Sequence, residues 1–425
     1  MSGQSRPSYA WYGDDFTGAT DTLATLSARG IQAFLFLGVP SREHLEQAGP
    51  LDALGVAGSA RSMSDDAMIR ELQPVATFFA EIAARLIHYK CCSTFDSASQ
   101  LGNLVTAVKT LRSSGAREQV LVLGGQPSLG RYCIFGNLFA AAGQGGEVHR
   151  LDRHPTMSRH PATPMGEADL RGHLMALGAR DVGLVSWRDL DAEEDINLGD
   201  KPYVLLDALN ERHIACIGQL LRARTVNGAP QIVLGASSVA QAFFPASETT
   251  APNKASAHSG PTLAIAGSLS PLTRRQIAAA SRYRKLAVNP ERLLSEEAHR
   301  KAIIKEAASL LNEGANVLVT TSPEDEASTN SAHADLATAT GRLTDSILNQ
   351  APVRRLLIAG GDTSSHVVQH LGVWGLSSAG SFAPGVALSQ TRSDNPARDG
   401  LCLLLKGGQM GEEAMFDRFA EPREV

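Results

Sequence analysis

The chain has 425 residues, of which 43% are hydrophobic and 20% charged, an ordinary balance for a soluble globular enzyme and more than one domain of average size needs. Its 39 Lys and Arg against 44 Asp and Glu give a formal charge of −5. That excludes a broad basic field for nucleic acid or an anionic membrane, so any small anionic ligand has to be captured by a local arrangement.

Short apolar runs alternate with helical patterns almost from end to end. Residues 9–12 read as a strand, 22–29 as a helix closed by Gly30, and 31–37 as the next strand. Further strand-like runs fall at 54–57, 86–89, 120–123, 182–185, 203–206 and 231–234. Residues 245–260 (PASETTAPNKASAHSG) lack periodicity and read as a linker. Beyond it the alternation restarts with strands at 262–266, 286–288, 316–320, 355–359 and 401–405, and with helical patterns near 294–313 and 330–350. Strand, helix, strand in repetition predicts an α/β protein of two domains, each a mainly parallel sheet flanked by helices, over 1–245 and 261–425 with 246–260 between them.

The five cysteines (Cys91, Cys92, Cys133, Cys216 and Cys402) are odd in number and hold no C-x-x-C pair. That speaks against a disulfide framework or a zinc site and for a reducing cytoplasm. The first residues carry no signal-peptide pattern, and no apolar run reaches the ~18–20 residues of a membrane span. The expectation is a cytoplasmic protein without membrane or nucleic-acid partners.

Open parallel sheets bind ligands beyond the carboxyl ends of their strands, so the residues just past each strand are the ones to read for chemistry. The first strand leads into YGDDFTGATD (12–21), with Asp14 and Asp15 at the tip and Thr17 and Gly18 at a helix start. Neighbours in extended chain point opposite ways, so one carboxylate is expected to face a ligand, accepting or deprotonating its hydroxyl. Helix capping by Asp14, Asp15 or Thr17 is the equally weighted alternative. The spacing does not fit the D-x-D-x-T of aspartyl-phosphate phosphatases. Arg61 closes GVAGSAR and Lys90 opens KCCSTFDS (90–97); both are cations suited to a carboxylate, while Ser93, Thr94 and Asp96 suit a polyol. Cys91 and Cys92 read as core fillers. GGQPSLGR (124–131) lacks the G-K-[ST] ending of a phosphate loop, and a tight turn is as good a reading. In HPTMSRHPATPMGEADL (154–170), Pro164 suits the first turn of a helix capped by Thr163, and His154 and His160 read as structural.

The second half carries three glycine turns after strands: Gly267-Ser268, Gly360-Gly361-Asp362-Thr363, and Gly407-Gly408 after Lys406. Glycines let backbone amides approach an anion, and a helix start just beyond favours it further. Three such loops in one domain point to nucleotide phosphates, without a G-x-G-x-x-G or Walker A sequence.

Taken in order, YGDDFTGATD, KCCSTFDS, HPATPM, AGGDTSS and KGGQMG resemble the four-carbon acid sugar kinase family over nearly the whole chain. The resemblance implies a sugar-acid-binding domain followed by a nucleotide-binding domain, an active site in the cleft between them, and ATP-dependent phosphorylation of the terminal (C4) hydroxyl of threonate, erythronate or 3-oxo-tetronate. It implies an acid-sugar site of Asp14, Asp15, Arg61, Lys90, Ser93, Thr94 and Asp96. It implies an ATP site of Ser268, Gly360, Gly361, Asp362, Thr363, Gly407 and Gly408, with Mg²⁺ whose ligands are unknown. The expected mechanism has Arg61 and Lys90 hold the substrate carboxylate while Asp14 or Asp15 serves as base. An acid-sugar dehydrogenase or aldolase, and a non-catalytic sugar-acid sensor, are the competing readings, and homodimerisation is open.

Overall fold

The computed structural model describes residues 7–143, 145–160, 162–192, 195–246, 260–267, 270–321 and 330–421, with all their side chains except those at 330–334 and 362. The chain divides into two compact units, Met1–Ala251 and Pro252–Val425.

The first unit contains eleven strands among its described residues: β1 (Tyr9–Gly13), β2 (Ala33–Phe36), β3 (Ala53–Ala57), β4 (Leu86–Lys90), β5 (Val120–Leu123), β6 (Arg131–Ile134), β7 (Asn137–Ala141), β8 (Val148–Arg150), β9 (Val182–Val185), β10 (Tyr203–Leu206) and β11 (Gln231–Gly235). Eight form a wholly parallel sheet in the order β2-β3-β1-β4-β11-β5-β10-β9. The central strands are buried end to end, as expected of parallel strands covered on both faces. After β1 the chain runs to one side of the sheet, and after β3 it crosses to β4 on the other. The β1/β4 boundary is therefore a topological switch point, where the loops beyond the strands part and leave a crevice. Register makes the crevice level: Gly13 pairs with Ala57 of β3 and with Lys90 of β4, and Lys90 pairs with Gly235 of β11.

In the second unit β12 (Thr262–Ala266), β13 (Tyr283–Ala287), β14 (Asn316–Thr320), β15 (Arg355–Ala359), β16 (Gly375–Ala383), β17 (Val386–Arg392) and β18 (Cys402–Lys406) are ordered β13-β14-β12-β15-β18-β17-β16. The first five are parallel, while β17 pairs antiparallel with both β18 and β16. A second switch point lies between β12 and β15, whose tips are level at Ala266 and Ala359, with Lys406 beside Ala359. Below them, Leu404, Leu357, Ala264 and Leu318 pack with Phe416 and Phe419 of the last helix.

Local departures from the expected elements have local causes. The first helix is Phe16–Ser27, six residues earlier than the apolar periodicity indicated, because Asp15 caps it. The helix expected to open at Thr163-Pro164 starts instead at Leu170, with Asp169 accepting from the Arg171 amide as its cap. Thr163 is turned away to His160, its Oγ1 3.0 Å from Nδ1. The 294–313 helix is two, Pro290–Ser295 and Glu297–Asn312, parted where Glu296 takes extended dihedrals. Two antiparallel pieces, β6-β7-β8 and the β16-β17 hairpin, had no counterpart among the expected strands. β6, β8 and β16 are short or rich in Ser, Ala and Gly and only partly buried, while β17 is largely buried but its apolar run, residues 386–388, stops after three residues.

Candidate active site

Asp14 and Asp15 leave β1 at the first switch point in opposite roles. Asp15 is extended (φ −144°, ψ 159°), and its Oδ1 accepts the Gly18 amide at 2.7 Å, one of the donors that a helix start leaves without a partner. Its Oδ2 lies 2.9 Å from Arg61 Nη1, so both oxygens are committed. Asp14 Oδ1 accepts from Arg61 Nη2 at 3.2 Å, and its Oδ2 makes no hydrogen bond among the described residues. Burial pushes the Asp14 carboxyl up to about 6; Arg61 and Lys90 pull it down, and Asp15 and Asp96 push it further up. A carboxylate poised there, with one oxygen uncommitted, has the properties of a general base near neutral pH.

Arg61 is thus not a free cation. Its two terminal nitrogens are divided between Asp14 and Asp15, and those carboxylates outweigh burial and hold it charged. The backbone backs this up: the Arg61 amide donates to Asp14 O, and the Asp14 amide to Lys90 O, both at 3.1 Å. In the structure Arg61 thus clamps the acidic pair.

Lys90, at the tip of β4, is buried and directs Nζ to Cys91 O at 2.6 Å. The ammonium lies beside the start of the first helix: a Cβ on Gly18 would come within 2.6 Å of Lys90 Nζ and 2.5 Å of Asp15 Oδ1, so any larger residue must displace one or both of these groups. Along the next loop Thr94 Oγ1 donates to Asp96 Oδ1 at 2.6 Å, with Cys92 Sγ 2.9 Å from the same hydroxyl. Burial works to raise the Asp96 carboxyl, but Arg61, His160 and the Thr94 and Cys92 hydrogen bonds outweigh it and hold it low. Ser93 is half-buried in the same turn, its side chain without a hydrogen bond among the described residues. Phe95, between them, is fully buried at φ 54°, a left-handed conformation that costs a bulky side chain energy and is kept where packing over-determines it. The site therefore gathers Asp14, Asp15, Arg61, Lys90 and Asp96, with Cys92 on its edge.

A further group joins this crevice from elements the sequence reading left out of the site. Asp21, one and a half turns into the first helix, accepts from Ser237 Oγ beyond β11, and Thr22 Oγ1 lies 3.2 Å from the same hydroxyl. Burial raises the Asp21 carboxyl, and the charge on Lys90 with hydrogen bonds from Ser237 and Gln126 partly offsets it. The GGQPSLGR loop thereby places Gln126 at the site, while its Pro127–Leu129 stretch is a 3₁₀ turn. The signal was the YGDDFTGATD stretch itself, whose final Asp shares the half-buried face of its helix with Gly18 and Thr25.

In the second unit, Gly360 follows β15 and helix Gly361–His370 begins at once, while Gly407 and Gly408 follow β18. The Gly267 amide donates to Ala359 O and the Gly360 amide to Lys406 O, at 3.1 and 2.9 Å. Thr363 is buried in the first turn, its Oγ1 only 2.3 Å from where a Cβ on Gly267 would sit. Ser268 lies outside the described residues, as does the side chain of Asp362, whose backbone is in the helix. Among the described residues no cluster of His, Cys, Asp and Glu could hold a metal ion.

These two sites lie in two recognised domains. Residues 9–243 match the family model of a sugar-binding N-terminal domain, and residues 263–416 that of a nucleotide-binding C-terminal domain. The chain is 35% identical to 3-oxo-isoapionate kinase of Paraburkholderia graminis, over 97% of this chain and 94% of that one. The chain belongs to the four-carbon acid sugar kinase family. The kinase is also 28% identical to 3-oxo-tetronate kinase of Pectobacterium atrosepticum, over 95% and 96% of the two chains. A crystal structure of a Salmonella typhimurium LT2 protein shares its fold with a TM-score of 0.77 at 24% identity, covering 96% of this kinase and 98% of that chain. The kinase is a phosphotransferase with a hydroxyl acceptor. None of its described helices is long and apolar enough to cross a membrane.

Proposed function

We propose that this kinase transfers the γ-phosphoryl group of ATP to the terminal hydroxyl of a sugar acid in the 3-oxo-isoapionate and 3-oxo-tetronate class, with Asp14 as the base. The observation that carries the reading is the division of labour between two adjacent carboxylates. Asp15 is held by the Gly18 amide and Arg61, whereas Asp14 keeps one oxygen uncommitted and a carboxyl raised to about 6. The greater identity to 3-oxo-isoapionate kinase makes that acid the first acceptor to test.

Phosphoryl transfer asks a protein mainly for position and charge. Arg61 holds the two carboxylates apart from each other's charge and aims Asp14, which receives the proton of the attacking hydroxyl. Lys90, buried beside the helix start, supplies the positive charge for the acid's carboxylate, and the Thr94–Asp96 pair and Ser93 offer partners to its remaining hydroxyls. In the second unit the Gly360-Gly361-Asp362-Thr363 and Gly407-Gly408 turns hold the triphosphate through backbone amides. Mg²⁺ is taken to arrive with the nucleotide as MgATP, where it would neutralise charge on the phosphate chain.

The test is ADP release by the purified protein with MgATP and a panel of 3-oxo-isoapionate, 3-oxo-tetronates, threonates and erythronates. Turnover of at least one, abolished in Asp14→Asn, is expected. If no acid is phosphorylated while ATP still binds, the acceptor class is wrong; equal rates for Asp14→Asn and wild type remove Asp14 as base.

A further inference from the structure

Lys406 is the last residue of β18 and is completely shielded from solvent, 0% exposed. Its Nζ donates to Thr273 Oγ1 at 2.8 Å, and Thr273 Oγ1 in turn donates to Gly408 O at 3.0 Å. Thr273 stands in the first turn of helix Pro271–Ala279, so one hydrogen-bond chain ties that helix start, the ammonium and the Gly407-Gly408 turn together. An ammonium carries three protons, and among the described residues only one is used. No carboxylate lies within ion-pair distance of Lys406 among the described residues.

A buried cation without a counter-ion is costly, and proteins keep one where a ligand supplies the missing charge or where it serves chemistry. Burial alone pushes this ammonium down to about 7, consistent with a group that lacks a fixed partner. The turn beside it tells the same way. Gly407 has no left-handed φ, and a Cβ there would meet nothing nearer than Met410 Cγ at 3.4 Å, so the protein's own packing does not require glycine. Glycine there leaves the backbone open to close approach by a ligand.

We propose that Lys406 binds a phosphate group of the nucleotide, reading the charge of the phosphate chain while the Gly407-Gly408 turn reads its oxygens through the backbone. Resting on the kinase reading above, this assigns the counter-charge for the triphosphate to a strand tip, the same position that Lys90 occupies in the first unit.

The experiment compares binding of ATP, ADP and adenosine, by calorimetry on the full chain, in wild type, Lys406→Met and Thr273→Val. Lys406→Met should weaken ATP by about 10- to 100-fold, the usual range for a lost hydrogen bond to a charged group. Adenosine should change by less than about twofold, and Thr273→Val should show a smaller loss in the same direction. Met approximates the aliphatic stem, so removing an uncompensated buried charge should leave the melting temperature equal or higher. A folded Lys406→Met with unchanged ATP affinity, equal losses for ATP and adenosine, or a variant that fails to fold would each overturn the assignment. Wild type that binds no adenine nucleotide at all would instead sink the kinase reading.

Discussion

Replacing Asp14 by Asn should make the protein a far poorer catalyst and a more stable fold. The Asp14 carboxyl is buried and titrates at about 6 against an ordinary 3.8, a net result in which burial and the neighbouring carboxylates outweigh Arg61 and Lys90. At about 1.36 kcal/mol per pH unit, the difference corresponds to about 3 kcal/mol of destabilisation by the ionised group. The sign comes from proton binding. A carboxyl that holds its proton more tightly when folded contributes most favourably below pH 3.8. Its contribution falls as pH rises to about 6 and is constant above. Asp14→Asn should therefore match wild type near pH 4 and exceed it by up to about 3 kcal/mol at pH 7.5, an upper bound because the new amide must find its own partners. For a unit of this size that is about 6–12 °C in the calorimetric transition. Turnover should drop by about 10²–10⁴, the usual contribution of a general base. A variant less stable than wild type at pH 7.5, or a stability difference that stays constant from pH 4 to 7, would refute the reasoning.

The same carboxyl should give wild-type kcat/KM an acidic limb near pH 6, tenfold per pH unit below it. Because Arg61 is the chief influence lowering that value, Arg61→Met should move the limb to higher pH as well as reduce the rate, which a pH profile of the variant measures. Gly18→Ala forces a methyl onto Lys90 Nζ and Asp15 Oδ1, so the KM for the acid should rise while that for ATP holds, in a two-substrate kinetic analysis. Gly407→Ala meets no crowding within the protein and should melt within about 1 °C of wild type, yet its KM for ATP should rise several-fold.

Much of this was legible in the chain. Most strands buried on both faces were marked by an apolar run, as with Val120–Leu123 and Arg355–Ala359, and parallel order came from the alternation with helices. The acidic pair and the cations stood out because polar residues at the ends of such runs have few structural reasons to be there. What sequence reasoning could not supply was pairing across the fold. Arg61 is separated from Asp14 by 47 positions, and only β3 lying beside β1 in the sheet turns a free cation into a clamp. Asp21 and Ser237, 216 positions apart, meet for the same kind of reason. Lys406 shares with Lys90 the mark of a lysine ending an apolar strand, but the glycines beside it carry the stronger phosphate signal. The hairpin β16-β17 escaped because β16 is serine-rich and half-exposed and the apolar run of β17 is only three residues long.

The main chain at the two strand-tip lysines has an evolutionary corollary. Lys90 O is bonded by the Asp14 amide and Lys406 O by the Gly360 amide, so each cation is rooted in the last rung of its ladder and not in the loop beyond. Insertions or exchanges in the downstream loops can then remodel which acceptor fits without shifting either charge. Relatives with different acid preferences should differ in those loops and superpose at the rungs.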